Sequence, residues 1–246
     1  MARLNLTAIL LAGGFGTRIR QLFPGVPKPL IPIAGVPIIE WIVRLWALQG
    51  VSDFILSTGY LGDQIEQHFA NRLTRLHVRC VRESTPLGTG GAVAFAAQAL
   101  NAGEALLIGN ADSVSSVDIA SCIKKFEDTQ ADVLIGAAFR EDTSQFGSIQ
   151  LDASGRVVSF REKVPGPGLV NAGVYLMRRR LLASIPPGTA VSMERDIFPE
   201  LLRKGALFAV HPIQGEFLDM GTPDGYAAAE QFLRSLPDFE AAEAYA

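Results

Sequence analysis

The run Leu4 to Ala12 is apolar, partly β-branched and short, and it breaks at once into Gly13-Gly14-Phe15-Gly16-Thr17-Arg18. A segment of that length and character reads as a buried strand of a parallel sheet. The loop after such a strand lies at the carboxyl edge of the sheet, where open α/β proteins bind ligands. Three glycines let the backbone approach a ligand closely and turn its N–H groups toward anionic oxygens. Arg18 adds a forked donor suited to phosphate, and Lys28, stiffened between Pro27 and Pro29, adds a second cation. Two other glycine loops do not fit. The dinucleotide fingerprint needs a glycine where Ile19 stands, and the Gly-Lys-Ser/Thr ending of the NTPase phosphate loop is absent.

Past the prolines, strands and helices alternate. Pro37 is placed to begin a helix whose apolar face is Ile38, Ile39, Ile42, Leu45, Trp46 and Leu48, with Gly50 ending it. Phe54 to Thr58 reads as a strand, Asp63 to Arg72 as a helix, Leu76 to Val81 as a strand, Gly90 to Leu100 as an Ala-rich helix and Ala105 to Gly109 as a strand. That rhythm implies parallel βαβ units with helices on both faces of a sheet, an α/β architecture. Beyond Ala131 the gaps shorten. Val133 to Phe139, Ser148 to Leu151, Val157 to Phe160 and Ala172 to Met177 suggest further, partly antiparallel strands. Thr222-Pro223 has the form of a helix start, with Thr222 as cap. The small, acidic stretch after Pro237 is expected to fray. The expectation is one domain over 1–246, with a first lobe over about 1–130 and a second over about 131–236.

Composition limits the function classes. A net charge of -3 argues against nucleic acid as a partner, while a local cluster of cations still suits a small phosphorylated ligand. Cys80 and Cys122 stand far apart in apolar contexts and read as core residues; His68, His77 and His211 form no cluster. Leu4 to Leu11 is too short to cross a membrane and no cleavage pattern follows it, so a cytoplasmic protein without a membrane partner is expected.

Leu11 to Arg18 followed by Lys28 resembles the signature of the sugar-phosphate nucleotidyltransferases, the pyrophosphorylases that make nucleotide sugars. The resemblance runs from about Leu6 to Tyr226. It implies a Rossmann-like three-layer αβα fold with a mixed, mostly parallel sheet. By it, Leu11, Ala12, Gly13, Gly14, Gly16 and Thr17 wrap the nucleotide, and Arg18 and Lys28 bind its phosphates. Glu83-Ser84-Thr85-Pro86-Leu87-Gly88-Thr89 resembles the base-reading segment, placing Glu83, Leu87, Gly88 and Thr89 near the base. Asp112, after Gly109-Asn110-Ala111, and Asp219, before Met220-Gly221-Thr222-Pro223, match two aspartates that hold Mg²⁺. Both follow apolar runs, so two carboxylates distant in sequence are expected to converge on one ion. Lys163 would bind the sugar phosphate, with Asn110, Gly147, Glu162, Asn171 and Glu194 on the acceptor side.

Each residue also has a bland reading: a helix cap for Asp112 and Ser192, a surface ion pair for Glu162 and Lys163, a bulge for Gly173. The Ser192 to Pro199 string is similar to the short enzymes that join GTP to a D-glycero-D-manno-heptose 1-phosphate. That likeness favours GTP and a heptose 1-phosphate as substrates, by analogy. A uridylyl-, thymidylyl- or mannose-type guanylyltransferase acting on a hexose 1-phosphate is the alternative within the enzyme class. A non-catalytic nucleotide-sugar-binding regulatory module is the alternative outside it. No appended acyltransferase domain is expected, and a homo-oligomer is an allowed assembly.

Overall fold

The computed structural model describes residues 6–99, 104–144, 147–153, 155–162, 164–213, 217–219 and 222–245; of Glu162 and Asp219 it describes the backbone. From the amino end, β1 (Leu6–Ala12) leads to a small hairpin of β2 (Pro32–Ile33) and β3 (Val36–Pro37). Then come α1 (Ile38–Leu48), β4 (Asp53–Thr58), α2 (Gly62–Phe69), β5 (His77–Arg82), α3 (Gly88–Gln98) and β6 (Ala105–Asn110). The second half runs β7 (Ser113–Ser115), α4 (Ile119–Asp128), β8 (Val133–Arg140), β9 (Gly147–Leu151), β10 (Val157–Glu162) and β11 (Gly168–Arg178). A π-type turn over Met193–Ile197 enters α5 (Phe198–Arg203), followed by β12 (Phe208–Pro212), β13 (Phe217–Asp219), α6 (Pro223–Ser235) and α7 (Phe239–Glu243).

One nine-stranded sheet organises the chain in the order β10-β9-β11-β6-β1-β4-β5, with β8 joined to β11 and β12 to β8. The βαβ half is parallel: β1 lies between β4 and β6, and β5 lies beyond β4. The second half turns antiparallel through β11, which pairs with β6, β8 and β9. Both faces are covered, as the period-two alternation shows. Ala8, Leu10 and Ala12 of β1 and Phe54 and Leu56 of β4 enter one core, together with Trp41 and Trp46 of α1. Ile9 and Ile55 enter the other, against Val93 of α3 and Phe198 of α5. The result is three layers, with the carboxyl ends of β1 and β6 side by side.

Several boundaries differ from expectation for local reasons. Pro37 closes the small hairpin and serves as the N-cap position of α1 rather than its first helical residue. Helix α4 was not anticipated, although Asp118 accepts the Ser121 N–H as a cap and Ile119, Cys122 and Phe126 form its buried face. The stretch past Pro237 forms α7 instead of fraying. Phe239 stacks on Trp41 at 5.1 Å between ring centroids and Ala242 is fully buried. Burial of these apolar groups outweighs the cost of ordering a short acidic helix. Cys122 is buried and Cys80 half-buried, which pushes their thiols up to about 12 and about 11. Among the described residues no helix is long and apolar enough to cross a membrane.

Arg44 ties the C-terminal helix down. It donates to the carbonyls of Ala242 and Glu243, each at 3.0 Å, and pairs with the fully buried Glu40. Glu40 also meets His68 Nε2 at 2.6 Å and Arg72 at 3.4 Å. Burial raises the Glu40 carboxyl, but hydrogen bonds from His68 and Arg44 and the charges of Arg44 and Arg72 outweigh it and hold the group at about 2. The folded value lies below the ordinary 4.5, so the stabilisation is complete above pH 4.5 and is lost as pH falls from there toward 2. It is worth on the order of 3 kcal/mol. The stability gap between the wild type and Glu40→Gln, from denaturant titrations, should therefore narrow as the pH is lowered from about 5 to about 3. A gap that does not change with pH would show that Glu40 is not held ionised by this cluster.

Candidate active site

The glycine loop leaves the carboxyl end of β1 and lines a cleft of about 440 Å³. Leu11, Ala12, Gly13, Gly14, Gly16, Thr17 and Arg18 form one wall. Glu83, Gly88 and Thr89 form the second, and Lys28, Asn110 and Asp112 a third. Gly16 adopts φ +59°, and a Cβ there would sit 2.9 Å from Lys28 Cβ, so a side chain would be both strained and crowded. The expected nucleotide residues thus meet in one place, with one exception. Leu87 is buried behind the wall, where its N–H donates to Glu83 Oε2 at 3.1 Å and its carbonyl accepts from Val191.

At the cleft, Lys28 Nζ donates to Asp112 Oδ2 at 2.6 Å, joining the proline loop to the end of β6. Lys28 is buried, whereas the Asp112 side chain retains 32% exposure and stays open to a ligand. Glu83 stands opposite. Its Oε1 would lie 2.4 Å from a Cβ on Gly13 and 2.9 Å from one on Gly59, so both positions leave room for the carboxylate. Burial raises its pKa, partly offset by the Leu87 N–H. Above the cleft Phe15 is half exposed and packs against Tyr60, over which Arg20 also lies.

Two amides in the first turn of α3 are taken up inside the protein. The N–H groups of Gly90 and Gly91 donate to the Val191 carbonyl at 2.9 and 3.2 Å. What the helix start does instead is connect two cavities. Thr89 Oγ1 donates to Glu194 Oε2 at 3.0 Å and accepts the Met193 N–H at 2.7 Å. Ser192 Oγ donates to the same Glu194 oxygen at 2.8 Å, and Tyr175 donates its hydroxyl to Glu194 Oε1 at 3.0 Å. The Tyr175 oxygen accepts from Asn171 Nδ2 at 2.7 Å, and Asn171 Oδ1 accepts the Gly173 N–H at 2.9 Å. A tyrosine hydroxyl has one proton, and the carboxylate can only accept, so these contacts fix the Asn171 amide's orientation.

Glu194, Asn171 and Gly147 line a second cavity of about 310 Å³, with Ser148, Arg161 and Arg195. Three of the expected acceptor-side residues therefore share it, whereas Asn110 lines the first cleft. The backbone of Glu162 pairs with Gly147 at the end of β10; Lys163 lies outside the described residues. Tyr175 was not singled out from sequence, although it stands four residues after Asn171 on one strand. Burial and the neighbouring Glu194 charge push its hydroxyl pKa well above the ordinary value, which keeps it a donor. A bulge in β11 between Asn171 and Tyr175 contains Gly173, at φ +73°, and a Cβ there would strike Asn110 at 2.6 Å.

The backbone of Asp219 lies opposite the residue that follows Asp112. β7 starts one residue after Asp112 and pairs antiparallel with β13, with Ser113 opposite Asp219. Among the described residues no group of three or more His, Cys, Asp or Glu side chains gathers as a metal cage. Two carboxylate-bearing strand ends beside a phosphate-type cleft suit a hard cation that completes its shell with water and ligand phosphates.

A family model for nucleotidyl transferases matches residues 7–235. A mannose-1-phosphate guanylyltransferase of Mycobacterium tuberculosis is 35% identical over 92% of this chain, which spans 64% of that relative's length. A D-glycero-alpha-D-manno-heptose 1-phosphate guanylyltransferase of Aneurinibacillus thermoaerophilus is 30% identical over 93% of this chain and 99% of its own length. The crystal structure of HddC from Yersinia pseudotuberculosis complexed with GMP-PN superposes with a TM-score of 0.80 at 28% identity, covering 92% of this chain and 98% of that one.

Proposed function

This chain belongs to the nucleotidyl transferase family, and from that premise we propose that it joins the GMP moiety of GTP to a sugar 1-phosphate, releasing pyrophosphate. The observation that carries the reading is the Lys28–Asp112 pair at the cleft formed by the glycine loop and Arg18. Pure binding of a nucleotide sugar does not call for a buried cation and an open carboxylate at the same point. The relatives' names support guanylyl transfer, and D-glycero-α-D-manno-heptose 1-phosphate is the acceptor we favour, since relatives that this chain matches along nearly their full length are named for that sugar.

The base preference has a physical counterpart in Glu83. Guanine presents two N–H donors side by side on its pairing edge, which an acceptor-only carboxylate can satisfy. Uracil and thymine present one N–H between two carbonyls, and those carbonyls would face the carboxylate's lone pairs.

In the reaction, a phosphate oxygen of the sugar 1-phosphate attacks the α-phosphorus in line, and pyrophosphate departs. The obstacle is repulsion between two polyanions, so catalysis rests on positioning and preorganised charge. Arg18 and Lys28 hold the triphosphate against the glycine loop. Asn171 and Glu194, locked by Tyr175, Ser192 and Thr89, orient sugar hydroxyls, and Lys163 steers the attacking phosphate. Members of this family use a divalent metal. Asp112 and Asp219 would hold it, Mg²⁺ in our reading, and it would neutralise phosphate oxygens when bound.

The test is a grid of four nucleoside triphosphates against several sugar 1-phosphates with Mg²⁺, followed by pyrophosphate release. A signal with GTP and the manno-heptose 1-phosphate is expected. A signal with UTP or dTTP and a hexose 1-phosphate would keep the reaction and replace the substrates. Silence across the grid, with chelator-insensitive binding of a nucleotide sugar, would favour the binding-module reading.

A further inference from the structure

The strand that carries residue 219 is short and lies off the main sheet. β13 has three residues, and among the described residues its strand partner is β7 alone, in a ribbon separate from the main sheet. A charged side chain of the main sheet reaches across to its backbone. Arg140, the last residue of β8, donates from Nη2 to the Phe217 carbonyl at 3.2 Å. Its guanidinium also lies 4.7 Å from the centre of the Phe217 ring. That ring is 8% exposed and packs in a small apolar cluster with Ala138, Val170, Ala172 and Ile213. One planar, forked cation therefore grips both the backbone and the side chain of Phe217, two residues before Asp219. Lysine could satisfy one of these contacts but lacks the flat fork for both.

We propose that Arg140 is a positioning residue for the divalent-cation site: it fixes β13 against the sheet and so sets where Asp219 stands relative to Asp112. The proposal rests on the reading of Asp112 and Asp219 as the metal carboxylates. Arg140 does not line the nucleotide cleft, so its effect should fall on the metal and spare the nucleotide. Residues that orient metal ligands typically cost about 10- to 100-fold in metal affinity when removed.

The test is a Mn²⁺ titration followed by electron paramagnetic resonance, with guanylyl imidodiphosphate bound. The proteins are the wild type, Arg140→Met, Arg140→Lys and Asp219→Asn. Asp219→Asn should lose most of the bound Mn²⁺. Arg140→Met should bind it about tenfold more weakly and Arg140→Lys to an intermediate degree, as expected for loss of an outer residue that orients a ligand. Affinity for the GTP analogue without metal should be unchanged in Arg140→Met and Arg140→Lys. Wild-type Mn²⁺ affinity in Arg140→Met overturns the proposal. If Arg140→Met melts well below the wild type, Arg140→Lys, which keeps a cation over the ring, decides by the same criterion. Wild-type Mn²⁺ affinity in Asp219→Asn instead overturns the metal-pair reading itself, and the Arg140 proposal with it.

Discussion

Asp112→Ala should fold, bind GTP and lose at least about 100-fold in kcat, a loss of roughly 3 kcal/mol or more of transition-state stabilisation. The side chain belongs to neither large core, and its contacts are Lys28 at 2.6 Å and Ser113 at 3.2 Å. Folding therefore loses little apolar burial. What it does lose is one charged partner of a lysine that is 9% exposed, and weakening the neutralisation of a buried cation is destabilising. A triphosphate entering the cleft would restore that neutralisation. The variant should accordingly melt below the wild type when empty and recover part of the difference in saturating GTP. Turnover should not recover, because the carboxylate that would hold the divalent cation is gone. Arg18→Ala should lose turnover on a similar scale through the other charge on the phosphates. Pyrophosphate release at saturating GTP, sugar 1-phosphate and Mg²⁺ measures both. Near-normal turnover in either variant removes that residue from the chemistry.

The first half of the chain was readable because its signals are local. An apolar run ending in glycines, a helix with a continuous apolar stripe and a strand four residues after Gly50 each carry a short-range pattern. The structure accordingly places β1, α1 and β4 within a residue or two of the positions expected, apart from Leu4 and Asn5, which lie outside the described residues. The tail was misread because composition reports on solvation and says nothing of Trp41 and Arg44, which wait nearly two hundred residues upstream to receive α7. Tyr175 escaped for a related reason. Its importance lies in a hydrogen bond to Glu194, which arrives from a different element, and no spacing rule links them. The amides in the first turn of α3 carry no mark of their partner in the sequence. Val191, a hundred residues later, takes two of them. What the sequence could not show in each case is a partner brought in by the fold.

Glu83→Gln should change which base the enzyme prefers. In the wild type Oε2 is engaged by the Leu87 N–H, and Oε1 lies in the space left by Gly13 and Gly59. A glutamine of the same shape has one acceptor oxygen, and Leu87's N–H, left without another acceptor, would claim it. The amide NH₂ would then face the base. That group suits a carbonyl of uracil or thymine and repels the paired N–H donors of guanine. Hydrogen bonds to a charged group are worth about 1.5–3 kcal/mol each, so kcat/KM for GTP should fall on the order of 100-fold while UTP and dTTP gain. The pH dependence gives an independent check. Burial raises the Glu83 pKa, and a Glu83 that reads guanine would do so in its ionised form, so wild-type kcat/KM for GTP should decline as pH falls through that raised value. The glutamine variant has no such group to protonate and should lack this limb. Profiles for GTP, UTP and dTTP measured on both proteins decide the matter. If the variant keeps its GTP preference and the acid limb persists, Glu83 does not read the base, and the buried carboxylate's function is to hold Leu87 and the turn behind the cleft.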